Sequence, residues 1–210
     1  LFLSFKASVQ PFGLPITNAS KSTFFASAEN QKILLKGIEQ TIKAERGIDL
    51  TGIDKGKSVS SFDVARNNFL ADIQKYGVVT DKGDLDSVYK GTEQTRFNHL
   101  VEIHSNVGIY IPVFFFFPFR VAAPNVMPVF VGSSIKLYSE IQQIQQTLEP
   151  SKHVNLGEIS NNFQASEEDL EDYEANHEGV PHFWPRFDCI ILEKLVTPSI
   201  QNKLPLFIYD

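Results

Sequence analysis

Three side chains near the middle of the chain have residue types and a spacing suited to acid–base chemistry. Arg96, His99 and Glu102 recur at intervals of three residues, which places them on one side of a helix. A histidine or a carboxylate there can act as a base, and an arginine can anchor an anionic group. A metal site would need further ligands, and His104, five residues after His99, points to another side. The sequence therefore predicts no metal and no cofactor, and an enzyme site at these three residues is the alternative interpretation.

The start of a later predicted helix has a pattern that could bind an anion. Residues 126–131 are typical of a strand, Gly132 follows, and Ser133 and Ser134 begin a helix. Free backbone N–H groups at such a turn can hold a phosphate or a carboxylate. The lysine and the glycine spacing of nucleotide-binding loops are missing, and capping of the helix by one of the serines explains the same pattern. Anion binding is therefore the weaker of the two interpretations.

An acidic segment is the most unusual feature of the sequence. From residue 167 to residue 178, seven of twelve residues are Asp or Glu and none is Lys or Arg. Such a run is commonly a solvated loop, but Ser166 could also cap a short helix that docks through Leu170 and Tyr173. Either form offers a negative surface to a basic protein partner. The predicted partner-binding residues are Glu167, Glu168, Asp169, Glu171, Asp172 and Glu174.

Charge and composition exclude several classes of partner. The chain has 25 acidic and 19 basic residues and a formal net charge of −6, so we expect neither nucleic acid nor a membrane surface to bind it. Its longest apolar run, residues 113–117, is far shorter than the roughly 20 residues that span a bilayer. The only cysteine, Cys189, cannot form an internal disulfide, and its apolar neighbours predict a buried, inert thiol. A cytoplasmic location is expected, and no pattern indicates an oligomeric state.

Apolar periodicity predicts the elements that must position these residues. It indicates helices over residues 30–46, 60–77, 92–106, 134–148 and 183–198, and strands over residues 109–117, 126–131 and 204–209. Four consecutive phenylalanines at residues 114–117 make the first of these strands apolar on both faces. A strand of that kind is usually covered on both faces, so we expect it in the interior.

The order of these elements predicts an α+β fold. We expect a small mixed β-sheet with the strand at residues 109–117 central, packed by about five amphipathic helices. Residues 1–28 are predicted to form an irregular arm with at most one short strand. Residues 29–210 are predicted to form a single domain with an acidic insertion at about residues 151–181.

Several stretches resemble known sequences. They are residues 61–78, 89–100, 132–134 and 204–206. Together they are similar to uncharacterised bacterial proteins, some of which resemble immunity proteins of toxin systems. The likeness covers about half of the chain and implies no catalytic residues.

Two hypotheses about function follow. The first is a non-enzymatic binding protein, immunity-like, whose acidic surface blocks the basic nucleic-acid-binding cleft of a protein partner by occupying the sites of phosphates. The second is a small enzyme that uses Arg96, His99 and Glu102, which requires a concave pocket where these side chains converge.

Overall fold

Seven strands form one mixed sheet in this computed structural model, which describes residues 5–9, 36–44, 47, 50, 60–64, 70–102, 107–121, 129–154 and 162–209. The strands are β1 (Phe5–Val9), β2 (Ser60–Val64), β3 (Val107–Ile111), β4 (Phe119–Val121), β5 (Val129–Ser133), β6 (Asn162–Ala165) and β7 (Leu206–Tyr209). Across the sheet the order is β4-β5-β3-β7-β1-β2-β6. The pairs β3–β5 and β2–β6 are parallel and the other neighbours are antiparallel.

The described residues also form seven α-helices of different lengths. They are α1 (residues 36–44), α2 (Ala71–Thr80), α3 (Leu85–Tyr89), α4 (Asn98–Val101), α5 (Ser134–Leu148), α6 (Glu167–Asn176) and α7 (Phe183–Gln201), with a single 3-10 turn at Pro150–Lys152. In α5, Ser133 caps the first turn and accepts a hydrogen bond from the backbone N–H of Lys136. Leu137 and Ile141 face the core from the same helix, and Glu149 ends it in the left-handed region before Pro150.

The core lies between the sheet and the long helix α7. This helix packs against α5 and α2 and also against strands β1, β2 and β7. Phe187, Ile191 and Leu195 are buried along it, at the helical spacing that the sequence indicated. The predicted α+β fold with a mixed sheet is therefore confirmed, and so are the helices that begin at Ser134 and Phe183.

The phenylalanine run does not lie in the interior, which corrects the prediction of a buried strand over residues 109–117. Strand β3 is an interior strand of the sheet, but it ends at Ile111. Pro112 has no N–H to continue the ladder, and the N–H of Val113 turns back to the carbonyl of Ile111 at 2.8 Å. Only Phe115 of the four rings is buried; Phe114, Phe116 and Phe117 are 48%, 66% and 63% exposed.

One other prediction is wrong because strands pair over long distances in the sequence. The predicted helix over residues 60–77 is wrong at its start, because Ser60–Val64 forms β2 between β1 and β6. The helix that follows, α2, continues past Gly77 to Thr80. Within the predicted N-terminal arm, Phe5–Val9 forms one short strand, and the remainder of the arm lies outside the described residues.

The predicted helix over residues 92–106 is also shorter than expected. Asp81 accepts hydrogen bonds from the hydroxyl of Thr95 and the backbone N–H of Arg96, which holds the chain in a turn up to Phe97. Helix α4 then runs only from Asn98 to Val101, and residues 103–106 lie outside the described part of the chain.

Candidate partner-binding surface

The acidic segment forms a true helix, α6, because its first turn is capped on both sides. The hydroxyl of Ser166 accepts the backbone N–H of Asp169 at 3.1 Å, and the carboxylate of Asp169 accepts the backbone N–H of Ser166 at 2.8 Å. This reciprocal pair satisfies two backbone donors that a helix start otherwise leaves free. The hydrogen bonds from Ser166 lower the pKa of Asp169, so the carboxylate is charged under ordinary conditions.

One side of α6 is fixed to α7 by apolar and aromatic contacts. Leu170 is buried in the core, and the ring of Tyr173 lies edge-on to Phe187 with centroids 5.8 Å apart. The imidazole of His177 stacks between Tyr173 at 5.4 Å and Phe183 at 4.8 Å. The docking of Leu170 and Tyr173 confirms the helical interpretation of the segment over the solvated loop.

The other side of α6 carries the carboxylates. Because an α-helix has 3.6 residues per turn, Glu168, Glu171 and Asp172 share the side opposite to Leu170 and Tyr173. All three are exposed, and Asp169 and Glu174 are exposed on the flanks. Glu167 begins the helix, and its side chain lies outside the described ones. Partner binding by these six residues remains a prediction at this point.

The three residues of the alternative enzyme site do not share a pocket. Arg96 is exposed and forms an ion pair with Asp81 at 3.1 Å, whereas His99 is fully buried. Glu102 lies at the C-terminal end of α4. An open depression of about 440 Å³ between α5 and α7 is lined by Glu149, Lys152 and Glu193 among others, and by none of these three residues. The geometry therefore does not support an enzyme site there.

His99 instead connects three parts of the interior. Its Nδ1 accepts the backbone N–H of Ser133 at 2.9 Å, so the ring proton sits on Nε2, which donates to the carbonyl of Phe116 at 3.1 Å. The pKa of His99 is lowered to about 4, mainly by burial; the bond to Phe116 opposes this shift and the nearby Lys136 adds to it. The imidazole is therefore neutral near pH 7 and serves as a structural bridge.

The predicted anion site at Ser133 and Ser134 is occupied by internal contacts. Ser133 is buried, its N–H donates to His99, and its hydroxyl donates to the carbonyl of Val113 at 2.6 Å. The hydroxyl of Ser134 pairs with that of Ser199 at 2.8 Å inside the core. These serines cap and pack the start of α5, so no surface for an anion is formed by them.

Gly132, part of the same pattern, is needed for packing. A Cβ at this position would lie 2.4 Å from the ring of Tyr110, which fits only because glycine has no side chain. The hydroxyl of Tyr110 then reaches the carbonyl of His99 at 2.6 Å. The glycine thus serves a buried contact between β3 and β5.

Glu140 is a buried acidic residue that the sequence did not single out. It lies within α5, and its two carboxylate oxygens accept the backbone N–H groups of His99 and Leu100 at 3.2 Å and 2.8 Å. Burial raises the pKa of Glu140 to about 8 against the opposing effect of these bonds. Its position among Leu137, Ile141 and Ile144 on the apolar side of α5 is the signal that could have revealed it.

The described residues contain neither an exposed thiol nor a cluster of metal ligands. Cys189 is buried, and burial raises the pKa of its thiol, as the sequence indicated for an inert cysteine. No cluster of three or more His, Cys, Asp or Glu side chains in this part of the chain is arranged to bind a metal ion. None of the helices in the described segments is long and apolar enough to cross a bilayer.

Comparison with known proteins gives one family. The model of a family described as "Putative DNA-mimic protein" matches residues 66–208, which is more than half of the chain and includes α6. No curated protein matches the chain, and no solved structure matches it.

This family match corrects two interpretations of the sequence. The immunity-like function was wrong, because the matched family is described as a family of DNA mimics. The enzyme alternative at Arg96, His99 and Glu102 had already failed on geometry, since Arg96 is exposed and His99 is buried. The expected partners, a possible basic protein and no nucleic acid, are corrected too, because a DNA mimic takes the place of DNA on proteins that bind DNA.

Proposed function

Because the chain belongs to this DNA-mimic family, we propose that it binds a DNA-binding protein by presenting the acidic side of α6 in place of a phosphate backbone. The observation that carries the proposal is the row of exposed carboxylates on a capped and anchored helix. The six acidic residues that the sequence indicated, from Glu167 to Glu174, are the proposed contacts.

The charge density of α6 supports imitation of DNA. At a rise of about 1.5 Å per residue, its ten residues span about 15 Å, so six carboxylates give about one charge per 2.5 Å. A single DNA strand carries about one charge per 3.4 Å of axis and the duplex about one per 1.7 Å. The helix therefore falls between the two, and lysine and arginine side chains spaced for phosphates can pair with it.

The location of the net charge supports the same surface. Between Lys152 and Arg186 lie 33 residues with eight acidic side chains and no lysine or arginine, whereas the rest of the chain has 17 acidic and 19 basic residues. The excess negative charge of the protein is thus concentrated in the segment that contains α6. A concentrated field of one sign attracts a basic cleft and orients the encounter.

Rigid presentation adds to affinity. A partner that binds a flexible acidic loop must order it, and that ordering opposes binding. The capping box at Ser166 and the contacts of Leu170 and Tyr173 hold α6 before any partner arrives. DNA and the proteins that bind it occupy the same compartment in bacteria, so the proposal keeps the bacterial, cytoplasmic setting that the sequence led us to expect.

Displacement of DNA tests the proposal. DNA-binding proteins are collected from an extract of the source cells on immobilised DNA, and their binding to a fluorescent duplex is followed by anisotropy while this protein is added. We expect wild-type protein to release the duplex from at least one of them, and more weakly as salt screens the charges.

Matched variants show whether α6 is the surface. E171Q/D172N removes one Glu and one Asp from the exposed side of α6, and E39Q/D86N removes the same pair from exposed positions on α1 and α3. We expect the first variant to require at least about tenfold more protein for displacement and the second to match wild type. Equal behaviour of the two variants, or no displacement by wild type, contradicts the proposal.

A further inference from the structure

A second surface lies on the loop between β3 and β4. Residues 112–118 have the sequence Pro-Val-Phe-Phe-Phe-Phe-Pro and contain no charged side chain. Three of the rings, those of Phe114, Phe116 and Phe117, are about half to two thirds exposed. Exposed aromatic rings gathered at one place on a surface mark an interaction site more often than single ones do. The acidic side of α6 does not account for them.

The loop is held from the inside, so its rings are directed outward by a fixed backbone. The hydroxyl of Ser133 donates to the carbonyl of Val113 at 2.6 Å, and Nε2 of His99 donates to the carbonyl of Phe116 at 3.1 Å. Phe115 is buried and packs on the imidazole of His99 at 5.5 Å. Preorganisation of this kind lowers the entropy that a docking partner must overcome.

The loop stands at one end of the sheet, far from the acidic helix. Strand β4 follows the loop and is the outermost strand at that end, where it pairs with β5. Strand β6 is outermost at the opposite end and leads directly into α6. With strands about 4.8 Å apart, the six intervals between β4 and β6 separate the two ends by about 29 Å.

We propose that a second copy of this chain docks on the Phe114–Phe116–Phe117 surface, with the β4 ends of the two sheets facing each other. Two copies with a net charge of −6 repel each other least when their acidic segments are farthest apart. Joining the uncharged loops places both α6 helices at the outer ends. A basic DNA-binding partner, in contrast, is attracted to the α6 end and gains nothing electrostatically from this loop.

The exposed area sets the strength of this dimer. At roughly 200 Å² for a fully exposed phenylalanine, the three rings present about 350 Å², less than half of the about 800 Å² that each partner of a standard interface buries. The edge of β4 and the rest of the loop must supply the remainder; among the described strands β4 has a neighbour, β5, on one side only, and the outer strand of a sheet is a ready site for a symmetric copy. The dimer is therefore weak and depends on protein concentration.

Sedimentation equilibrium of the full chain tests the proposal. We expect a monomer–dimer equilibrium for wild type and at least about tenfold weaker association for F116S/F117S, because the apolar surface is lost from an exposed position. V79S removes an equally exposed apolar side chain on α2 and should associate as wild type does. A wild type that stays monomeric at every concentration, or equal association of the two variants, overturns the proposal. The proposal is also overturned if wild type is monomeric and F116S/F117S no longer displaces the duplex. That result would assign the rings to the contact with the DNA-binding partner.

Distance measurements between spin labels locate the interface. The native cysteine is buried, so a new cysteine is labelled selectively. In K36C the label lies near the β4 end, because the neighbouring Gly37 lies against the side chain of Val121; in E171C it lies on α6. We expect the intermolecular distance to be shorter for K36C than for E171C, and the reverse order overturns the proposed arrangement.

Discussion

The indole N–H of Trp184 donates a hydrogen bond of 3.0 Å to the carboxylate of Glu174. The first turn of α7 therefore holds α6 through an acidic side chain of α6. Trp184 is a neutral donor, so this contact fixes the position of the carboxylate and leaves its charge in place. A lysine or an arginine at the same position would cancel part of the field that the proposed partner recognises. The contact therefore reconciles rigid anchoring of α6 with a high negative charge on it.

The anchoring of α6 by Leu170 can be tested without changing any charge. Leu170→Ala removes a buried side chain between α6 and the core, and we expect it to lower the free energy of unfolding by about 2–5 kcal/mol. Amide hydrogen exchange in α6 should rise, and displacement of the duplex should weaken although all carboxylates remain. Val79→Ala, at an exposed position, is the control and should change neither property. Unchanged exchange in α6 of Leu170→Ala would show that other contacts anchor the helix.

The capping box makes a separate prediction about the first turn of α6. Ser166→Ala removes the acceptor for the backbone N–H of Asp169 and should cost about 1 kcal/mol of helix stability. Faster amide exchange at the start of α6 is the expected readout, with Ser139→Ala on the exposed side of α5 as a control that leaves it unaltered. The pKa of Asp169 is lowered in the folded state, so its part of the cap is present above the ordinary aspartate pKa and is lost as pH falls through the lowered value. If the backbone N–H of Ser166, which donates to the Asp169 carboxylate, stays equally protected from exchange in acid, this assignment is contradicted.

Local patterns in the sequence were sufficient where an element depends on its own residues. Ser166 with Leu170 and Tyr173 made a docked helix one of the two interpretations of the acidic segment, and the apolar spacing from Ile135 to Leu148 indicated α5. Another element, β2, depends on distant partners. Ser60–Val64 has an apolar residue at helical distance from Ile73, yet it pairs as a strand with Phe5–Val9 and Asn162–Ala165, which lie far away in sequence.

The interior polar contacts could not be inferred from spacing. His99 is on a helix with Arg96 and Glu102 nearby in sequence, but its function in the fold is set by Ser133 and Phe116, which follow it by 34 and 17 residues. The phenylalanine run misled for a related reason. Hydrophobicity alone predicts burial, whereas Pro112 ends the ladder and turns three of the four rings outward.

Buried Glu140 predicts how stability depends on pH. Its pKa is about 8 in the folded protein and near 4.5 when it is exposed by unfolding, so between these values the folded state holds a proton that the unfolded state has released. Raising the pH therefore favours unfolding in this range. His99 acts oppositely, but only between about 4 and 6.5, where its folded pKa lies below the ordinary value. Of these two groups, only Glu140 therefore changes the free energy of unfolding between pH 6.5 and pH 8.

Urea denaturation across that range measures the effect. We expect the free energy of unfolding of wild type to fall between pH 6.5 and 8 by at most about 1.4 kcal/mol per pH unit. Glu140→Gln should be less stable, because an amide has one oxygen for two backbone donors, and its stability should be flat over the same range. Glu39→Gln, exposed on α1, should keep the wild-type slope. An unchanged slope in Glu140→Gln would assign the titration to another group.

Phe115 is buried and Phe117 is exposed, so the same substitution to alanine should lower the free energy of unfolding by different amounts. Phe115 is 4% exposed and packs on His99 and on Phe119, with ring centroids 5.5 Å and 5.4 Å away, so Phe115→Ala should lower the free energy of unfolding by about 3–5 kcal/mol. Phe117→Ala removes a ring that faces solvent, and the loss should stay below about 1 kcal/mol. Urea denaturation of both variants at low protein concentration, where self-association does not contribute, measures the difference. Equal losses for the two variants would mean that Phe117 is covered in the folded monomer and would contradict the outward direction of its ring.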